Sequence, residues 1–334
     1  MAEMAERLSN QLSNADFNSL KRVLLEWIAN NPQKKLSFLL TGKTGVGKSR
    51  LVNALVGEDV ADEGQQRDSC TNTATPYKVT KEDIDILVWD SPGLQDSNDD
   101  CSNWYLENLK DINSRYGIDV VIYCLKMDDR RFYSEDKKAI RKLTEGFGKE
   151  LWKKTVIALT FANKIQDPDE IDHDIYFLKE FTEWERQLRG VPSGILTELQ
   201  IDSQVLSALP IIPVGNYAGR PKKPKPLPNG DHWLSELWIS CYSVMSDTAG
   251  IALYKISKNR LVFGAPAVAS IAARDDPRDT NIPGDIPLTD RQQNTLWKRM
   301  WQAFKRVAPT LMAFSVNTGA IAAVGIAILK ALSR

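Results

Sequence analysis

The sequence has 334 residues, 43% of them hydrophobic and 26% charged, the proportions of a soluble globular protein with one large domain or a domain with additions. Lys+Arg and Asp+Glu both total 43, so no global charge draws the chain to nucleic acid. Cys70, Cys101, Cys124 and Cys241 are scattered without a CxxC pair, and with only His173 and His232 beside them they read as free thiols in a reducing compartment rather than a zinc site. The first twenty residues lack an apolar core of signal-peptide type, so no secretory entry is expected.

In chain order, "DFNSLKRVLLEWIANN" places Phe17, Leu20, Val23, Leu24 and Trp27 at helical spacing, predicting an amphipathic helix. "KLSFLLTG" reads as a buried strand, and "SRLVNALVG" as a helix with Leu51, Ala54 and Leu55 inward and Gly57 at its end. "DEGQQRDSCTNTATPYKVT" is a polar loop running into a strand. Further strands are expected in "DIDILVWD", "GIDVVIYCLKM", "KTVIALTFA" and "LPIIPVGN". Helical patterns such as "SEDKKAIRKLTEGFG" and "DHDIYFLKEFTEWERQLRG" lie between them. This alternation predicts an α/β fold of three layers, a mostly parallel sheet with helices on both faces. Past residue 260, "AARDDPRDTNIPGDIPLTD" reads as a linker, "RQQNTLWKRMWQAFKR" as a basic helix, and 307–329 as an uncharged run about long enough to cross a bilayer.

Gly42-Lys43-Thr44-Gly45-Val46-Gly47-Lys48-Ser49 fits G-x-x-x-x-G-K-[ST] between a strand and a helix. Its glycines let backbone N–H groups wrap phosphates, and the following helix adds the positive end of its dipole. Gly42, Thr44, Gly45, Val46, Gly47, Lys48, Ser49 and Arg50 are the candidate phosphate-binding residues, with Lys48 also catalytic through the β- and γ-phosphates. Downstream, a hydrophobic strand ends in Asp90-Ser91-Pro92-Gly93. Asp90 is placed to hold Mg²⁺ through water and the Gly93 N–H to sense a γ-phosphate. Ser69, Thr71 and Thr73 are the hydroxyls available to the metal between these motifs, and Thr71 is preferred, giving Ser49, Thr71 and Asp90 as the metal set.

After the strand "VIALT", guanine-specific enzymes place N/T-K-x-D, whose carboxylate accepts from the base. Here Thr160-Phe161-Ala162-Asn163 puts Asn where Asp is expected, and the alternative Asn163-Lys164-Ile165-Gln166 also lacks the acid. From the motif alone the base stays open.

The chain resembles the septin-related branch of P-loop GTPases that holds the chloroplast import-receptor (Toc) GTPases and the immunity-associated GTPases. The matching pieces span about 16–260: "GKTGVGKSRLVNALVGE", "DSPGL", "DDRRFYSEDKKAIRKLTEGFGKELWKKTVIALT", and "VGNYAGR" followed by "LPNGDHW". The patterns after residue 260 give a C-terminal helical extension, and the resemblance implies a P-loop GTPase domain with bound GTP or GDP and Mg²⁺. It implies guanine read by an asparagine after the last strand, matching Asn216, with Thr160 and Asn163 carried over in part. It also implies face-to-face homodimers across the nucleotide, with an arginine at the position of Arg131 reaching the neighbour's phosphates. The organisation expected is an N-terminal helix at 1–33, the GTPase domain at 34–260, a linker at 261–289, the basic helix at 290–306 and an apolar tail at 307–332.

Leu94 follows Gly93 where Ras-like enzymes carry the glutamine that positions water, so GTP hydrolysis is expected to be slow and dimer-dependent; Gln95 is one place on. Arg131 in trans would neutralise charge developing on the transferring phosphate, while "DDRR" also fits a solvated turn. For the tail, basic Lys298, Arg299, Lys305 and Arg306 and the small-residue face Ser315, Gly319 and Ala323 favour a membrane anchor that leaves the protein on the cytosolic side of an organelle membrane. A surface-lying amphipathic helix, helped by Trp297, Trp301 and Phe304, and a packed core helix are the alternatives. The leading expectation is a membrane-anchored GTPase switch or scaffold. The others are an assembly scaffold with negligible turnover, favoured by Leu94, and a P-loop ATPase, left room by Asn163. No nucleic-acid role is expected; the basic run "GRPKKPKP" reads as an exposed loop.

Overall fold

The computed structural model describes residues 35–43, 45–58, 60, 76–90, 99–129, 132–166, 172–215, 217–218, 223–224, 227–263 and 285–314. The expected N-terminal helix, the polar loop before Pro76 and the apolar tail beyond Phe314 lie outside them. The chain divides into a unit from Lys34 to Asp290 and a second made of the two ends, Met1–Gln33 and Arg291–Arg334.

In the first unit a six-stranded sheet runs β2-β3-β1-β4-β5-β6. Its strands are β1 (Lys35–Gly42), β2 (Tyr77–Lys81), β3 (Ile84–Asp90), β4 (Val120–Lys126), β5 (Thr155–Thr160) and β6 (Ile211–Pro213). All neighbours are parallel except β2, which turns back on β3 through Glu82 and Asp83, both at positive φ. Near-continuous apolar runs explain the parallel strands: every residue of β5 and all but Lys35 of β1 are buried, as expected of strands covered on both faces. Edge strand β2 is different. Its Lys78 and Thr80 are exposed and meet Asp85 of β3 at 2.8 and 2.7 Å, and Lys78 holds the Asp85 carboxyl below its usual range.

Helix α1 (Lys48–Val56) follows β1, as the motif requires, and buries Leu51, Ala54 and Leu55. Gly57 ends it at φ +86°, its N–H donating to Asn53 O at 2.8 Å. The remaining carbonyls of the last turn are met by cations from far along the chain. Arg260 donates to Leu55 O (3.1 Å) and Ala54 O (2.8 Å), and Lys81 Nζ to Val56 O (3.2 Å).

Helices α2 (Asp99–Tyr116), α3 (Ser134–Phe147) and α4 (His173–Arg189) follow, then short α5 (Ile195–Glu198) and α6 (Ser203–Ala208). After two-residue strands β7 (Tyr217–Ala218) and β8 (Lys223–Pro224) come α7 (Trp233–Val244) and α8 (Asp247–Ser257). The sequence reading did not single out α7 or α8. Both are apolar on nearly every side, because α7 packs on β5 and α1 while α8 packs on β1, so neither shows an amphipathic stripe. Trp238 and Tyr242 stack within α7 at 5.4 Å between ring centroids.

The stretch read as a linker carries a strand at each end: β9 (Leu261–Phe263) and β10 (Ile286–Leu288) pair in parallel. Helix α9 (Asp290–Phe314), which belongs to the second unit from Arg291 on, includes the expected basic segment and runs into the start of the apolar one. Leu296, Met300 and Ala303 are buried, at helical spacing. No helix among the described residues is long and apolar enough to cross a membrane.

Candidate functional site

The site gathers at the carboxyl edge of the parallel strands, where β1 ends in Gly42, β3 in Asp90, β4 in Lys126, β5 in Thr160 and β6 in Pro213. Register aligns Leu40 with Asp90 and Gly42 with Cys124, so the loop leaves the sheet between β3 and β4.

Three glycines shape that loop. Gly42 lies at φ +135°, and a Cβ there would sit 2.3 Å from the Cys124 carbonyl oxygen, so no side chain fits. Gly45 (φ +78°) and Gly47 (φ +86°) complete the turn, and Gly47 caps α1 while its carbonyl accepts from Leu51 N at 3.1 Å. Lys48, 8% exposed, donates to Gly42 O at 3.2 Å and Lys43 O at 3.0 Å, holding its ammonium across the inside of the loop. Ser49 and Arg50 occupy the next two positions of α1. A loop whose first glycine admits no Cβ, a lysine laid across it and a helix N-terminus behind it form a donor set that fits phosphate oxygens. With Ser49 beside it and Asp90 ending the neighbouring strand, the set also fits a phosphate-bound Mg²⁺.

Beside the loop a cavity is lined by Gly47, Arg50, Thr160, Phe161, Gly215 and Trp233. Thr160 is buried, and its hydroxyl donates to Leu125 O at 3.0 Å, fixing the end of β5 to β4. Phe161 follows at φ +58°, a left-handed conformation that turns the chain sharply off the strand. Its ring lies close enough to Gly47 that a Cβ there would be 3.9 Å from it, so the ring bridges the loop and β5. Lys164 Nζ sits 4.4 Å and Lys126 Nζ 5.8 Å from the ring centroid. Asp129 binds Lys126 at 2.8 Å and raises its pKa, so that cation stays charged. Asn163 falls in a 3-10 turn, Ala162–Lys164, and its Oδ1 is buried without a hydrogen-bond partner in the structure.

Phe161 and Trp233 are site residues to which the sequence reading gave no role. The signal available was positional: an aromatic directly after a strand end at the base-reading motif, and the tryptophan of "LPNGDHW". Of the expected site residues, Gly42, Gly45, Val46, Gly47, Lys48, Ser49, Arg50 and Thr160 come together here, with Asp90 at the adjoining strand end and Asn163 in the 3-10 turn that follows β5. Thr44, Thr71, Gly93, Arg131 and Asn216 lie outside the described residues.

Comparison with known proteins agrees with this geometry. The AIG1 family model matches residues 36–185. Translocase of chloroplast 34 of Pisum sativum is 33% identical over 223 residues, covering 64% of this chain and 68% of that protein. A Translocase of chloroplast 34 homolog of Chlamydomonas reinhardtii is 31% identical over 216 residues, covering 61% of this chain, which spans only 52% of the algal protein. Among solved structures, Toc33 from Arabidopsis thaliana in complex with Mg²⁺ and GMPPNP superposes with a TM-score of 0.50 at 26% identity, over 72% of this chain and 94% of that one. A structure of the chloroplast translocon components atToc33 and psToc159, described for the importance of dimerization to GTPase activity, shares the fold with a TM-score of 0.52 at 24% identity, over 70% and 92% of the two chains. By the pea relative, the family match and the phosphate-loop fold together, the chain belongs to the AIG1 family of P-loop GTPases.

Proposed function

We propose that the protein hydrolyses GTP to GDP and phosphate and works as a nucleotide-dependent dimerising switch or scaffold. The observation that carries this reading is Lys48 lying across a loop whose first glycine admits no side chain. Gly42 and Thr44 to Arg50 would wrap the phosphates, with Lys48 neutralising charge as the terminal phosphate departs. Ser49, Thr71 and Asp90 would hold Mg²⁺, which when bound clamps the phosphate oxygens. The Gly93 N–H would report the γ-phosphate, and Thr160, Asn163 and Asn216 would frame the base against the Phe161 ring. Leu94 cannot orient water, so turnover by one chain is slow; Arg131 from a second copy supplies the missing positive charge.

The dimer reading is supported by the translocon components atToc33 and psToc159, for which dimerization is important for GTPase activity. The apolar tail at 307–332 is proposed to anchor the protein, placing the GTPase unit on the cytosolic face of an organelle membrane. This is supported by the composition of that segment and by relatives named as chloroplast translocases.

Calorimetry of the full chain with GDP, ADP and XDP in the presence of Mg²⁺ tests the nucleotide reading. Tight GDP binding with no ADP signal is expected; equal ADP binding or preference for XDP would overturn it. Sedimentation with GDP and with GMPPNP tests the switch: a dimer enriched with GMPPNP and weakened by Arg131→Ala is expected. An Arg131→Ala protein that pairs and hydrolyses like wild type would refute the role of that arginine.

A further inference from the structure

We propose that Lys43 and Asp136 are positioning residues that link the phosphate loop to the segment Phe132–Asp136, so that filling the loop resets the backbone leading into α3. The inference rests on the nucleotide reading above and deepens it, because this segment follows directly on Arg131.

The link is a continuous chain of polar contacts. Gly42 is clamped against Cys124, so the first residue of the loop able to shift is Lys43. Its carbonyl accepts from Lys48 at 3.0 Å, which ties it to the group that meets phosphates. Its ammonium leaves the loop in the other direction. It lies 3.2 Å from Asp136 Oδ2 and 4.6 Å from the centroid of the Tyr133 ring. The same Oδ2 accepts the backbone N–H of Tyr133 at 3.0 Å, and Tyr133 is the N-cap of α3. One carboxylate oxygen therefore holds both the start of a helix and a side chain from the phosphate loop, 93 residues away.

Burial makes this arrangement consequential. Asp136 is 4% exposed, so the position of the Lys43 ammonium bears directly on a buried carboxylate that also holds the start of α3. On the far side of the segment, the Phe132 ring packs edge-on against Trp184 at 5.9 Å, so movement concentrates between Tyr133 and Asp136.

Amide hydrogen exchange of the full chain, with and without GMPPNP and Mg²⁺, reads this link without requiring the protein to dimerise. In the wild type, exchange at the Tyr133 amide should change by about fivefold on adding GMPPNP. In Asp136→Asn, which keeps the acceptor for Tyr133 but loses the ion pair, that response should vanish while GMPPNP affinity stays within about threefold. Lys43→Met, at a less buried position, should also lose the amide response and serves if Asp136→Asn folds poorly. A wild-type amide indifferent to GMPPNP would overturn the link. So would either variant responding as wild type does. Failure of the wild type to bind GMPPNP at all would overturn both the nucleotide reading and the link. Binding and amide response without dimerisation would remove only the switch reading.

Discussion

Arg260 and Leu55 are 205 residues apart in sequence, yet the guanidinium of one donates to the carbonyl of the other at 3.1 Å and to Ala54 O at 2.8 Å. Arg260 is 4% exposed, so these bonds form in the interior, at the negative end of the helix that starts at the phosphate loop. Arg260→Met should therefore leave two buried carbonyls without donors. We expect a loss of about 2–4 kcal/mol and a fall in Tm of about 6–10 °C by calorimetric melting. A melting temperature within a degree of wild type would show that these bonds contribute nothing net.

The glycines of the loop should separate by mechanism. Gly42→Ala drives a Cβ into the Cys124 carbonyl, where only backbone can give way. We expect GDP binding weakened more than about tenfold, measured by calorimetry. A Cβ at Gly45 would meet nothing within 4 Å, and only its φ of +78° opposes a side chain. Gly45→Ala should cost about 1 kcal/mol of stability and much less affinity. Equal damage from both substitutions would show that left-handed backbone strain, not the contact with Cys124, sets the requirement.

Much of this was legible in the sequence because it is local. The run from Gly42 to Ser49, the apolar strands around it and Gly57 at the end of α1 each announce themselves within ten residues. Resemblance to the Toc and immunity-associated GTPases pointed to the same family as the comparisons. What stayed hidden depends on distance or on missing periodicity. Nothing in "TGKTG" says that its lysine meets an aspartate 93 positions later, nor that a buried arginine caps α1 from residue 260. Helix α7 is buried from Trp233 to Tyr242 at every position but Glu236, so it lacks the polar face that marks a surface helix, whereas α2 buries Leu106, Leu109 and Ile112 at helical spacing behind its polar opening "DDCSN".

Phe161 invites a direct test of the base side of the site. Its ring stands between Gly47 and the end of β5, with Lys164 4.4 Å from its centroid. Phe161→Ala should weaken GDP binding by about 1–1.5 kcal/mol, roughly tenfold, through loss of a flat apolar surface for the base. Phe161→Trp should recover most of it, since a larger ring keeps that surface. Alanine and tryptophan variants that both bind like wild type would remove Phe161 from the site.

His232 gives the fold a pH dependence whose direction follows from its partners. Ser235 Oγ donates to the Pro287 carbonyl at 2.6 Å, and a proline carbonyl can only accept. The hydroxyl's one hydrogen is thereby used, so at 2.9 Å from His232 Nδ1 it accepts, and the imidazole carries its proton on Nδ1. Burial holds the pKa of His232 below its usual value, with Asp285 opposing weakly as a nearby charge. The folded state therefore binds this proton less readily than the unfolded chain does. Stability from neutral His232 is complete above the unfolded value of about 6.5 and falls as pH drops through it toward the lower folded value. Denaturation midpoints measured at pH 7.5 and at pH 5.5 should fall with acidification in the wild type, and fall less in His232→Gln, which keeps a donor toward Ser235 without titrating. An equal fall in both proteins would assign the acid sensitivity to other groups.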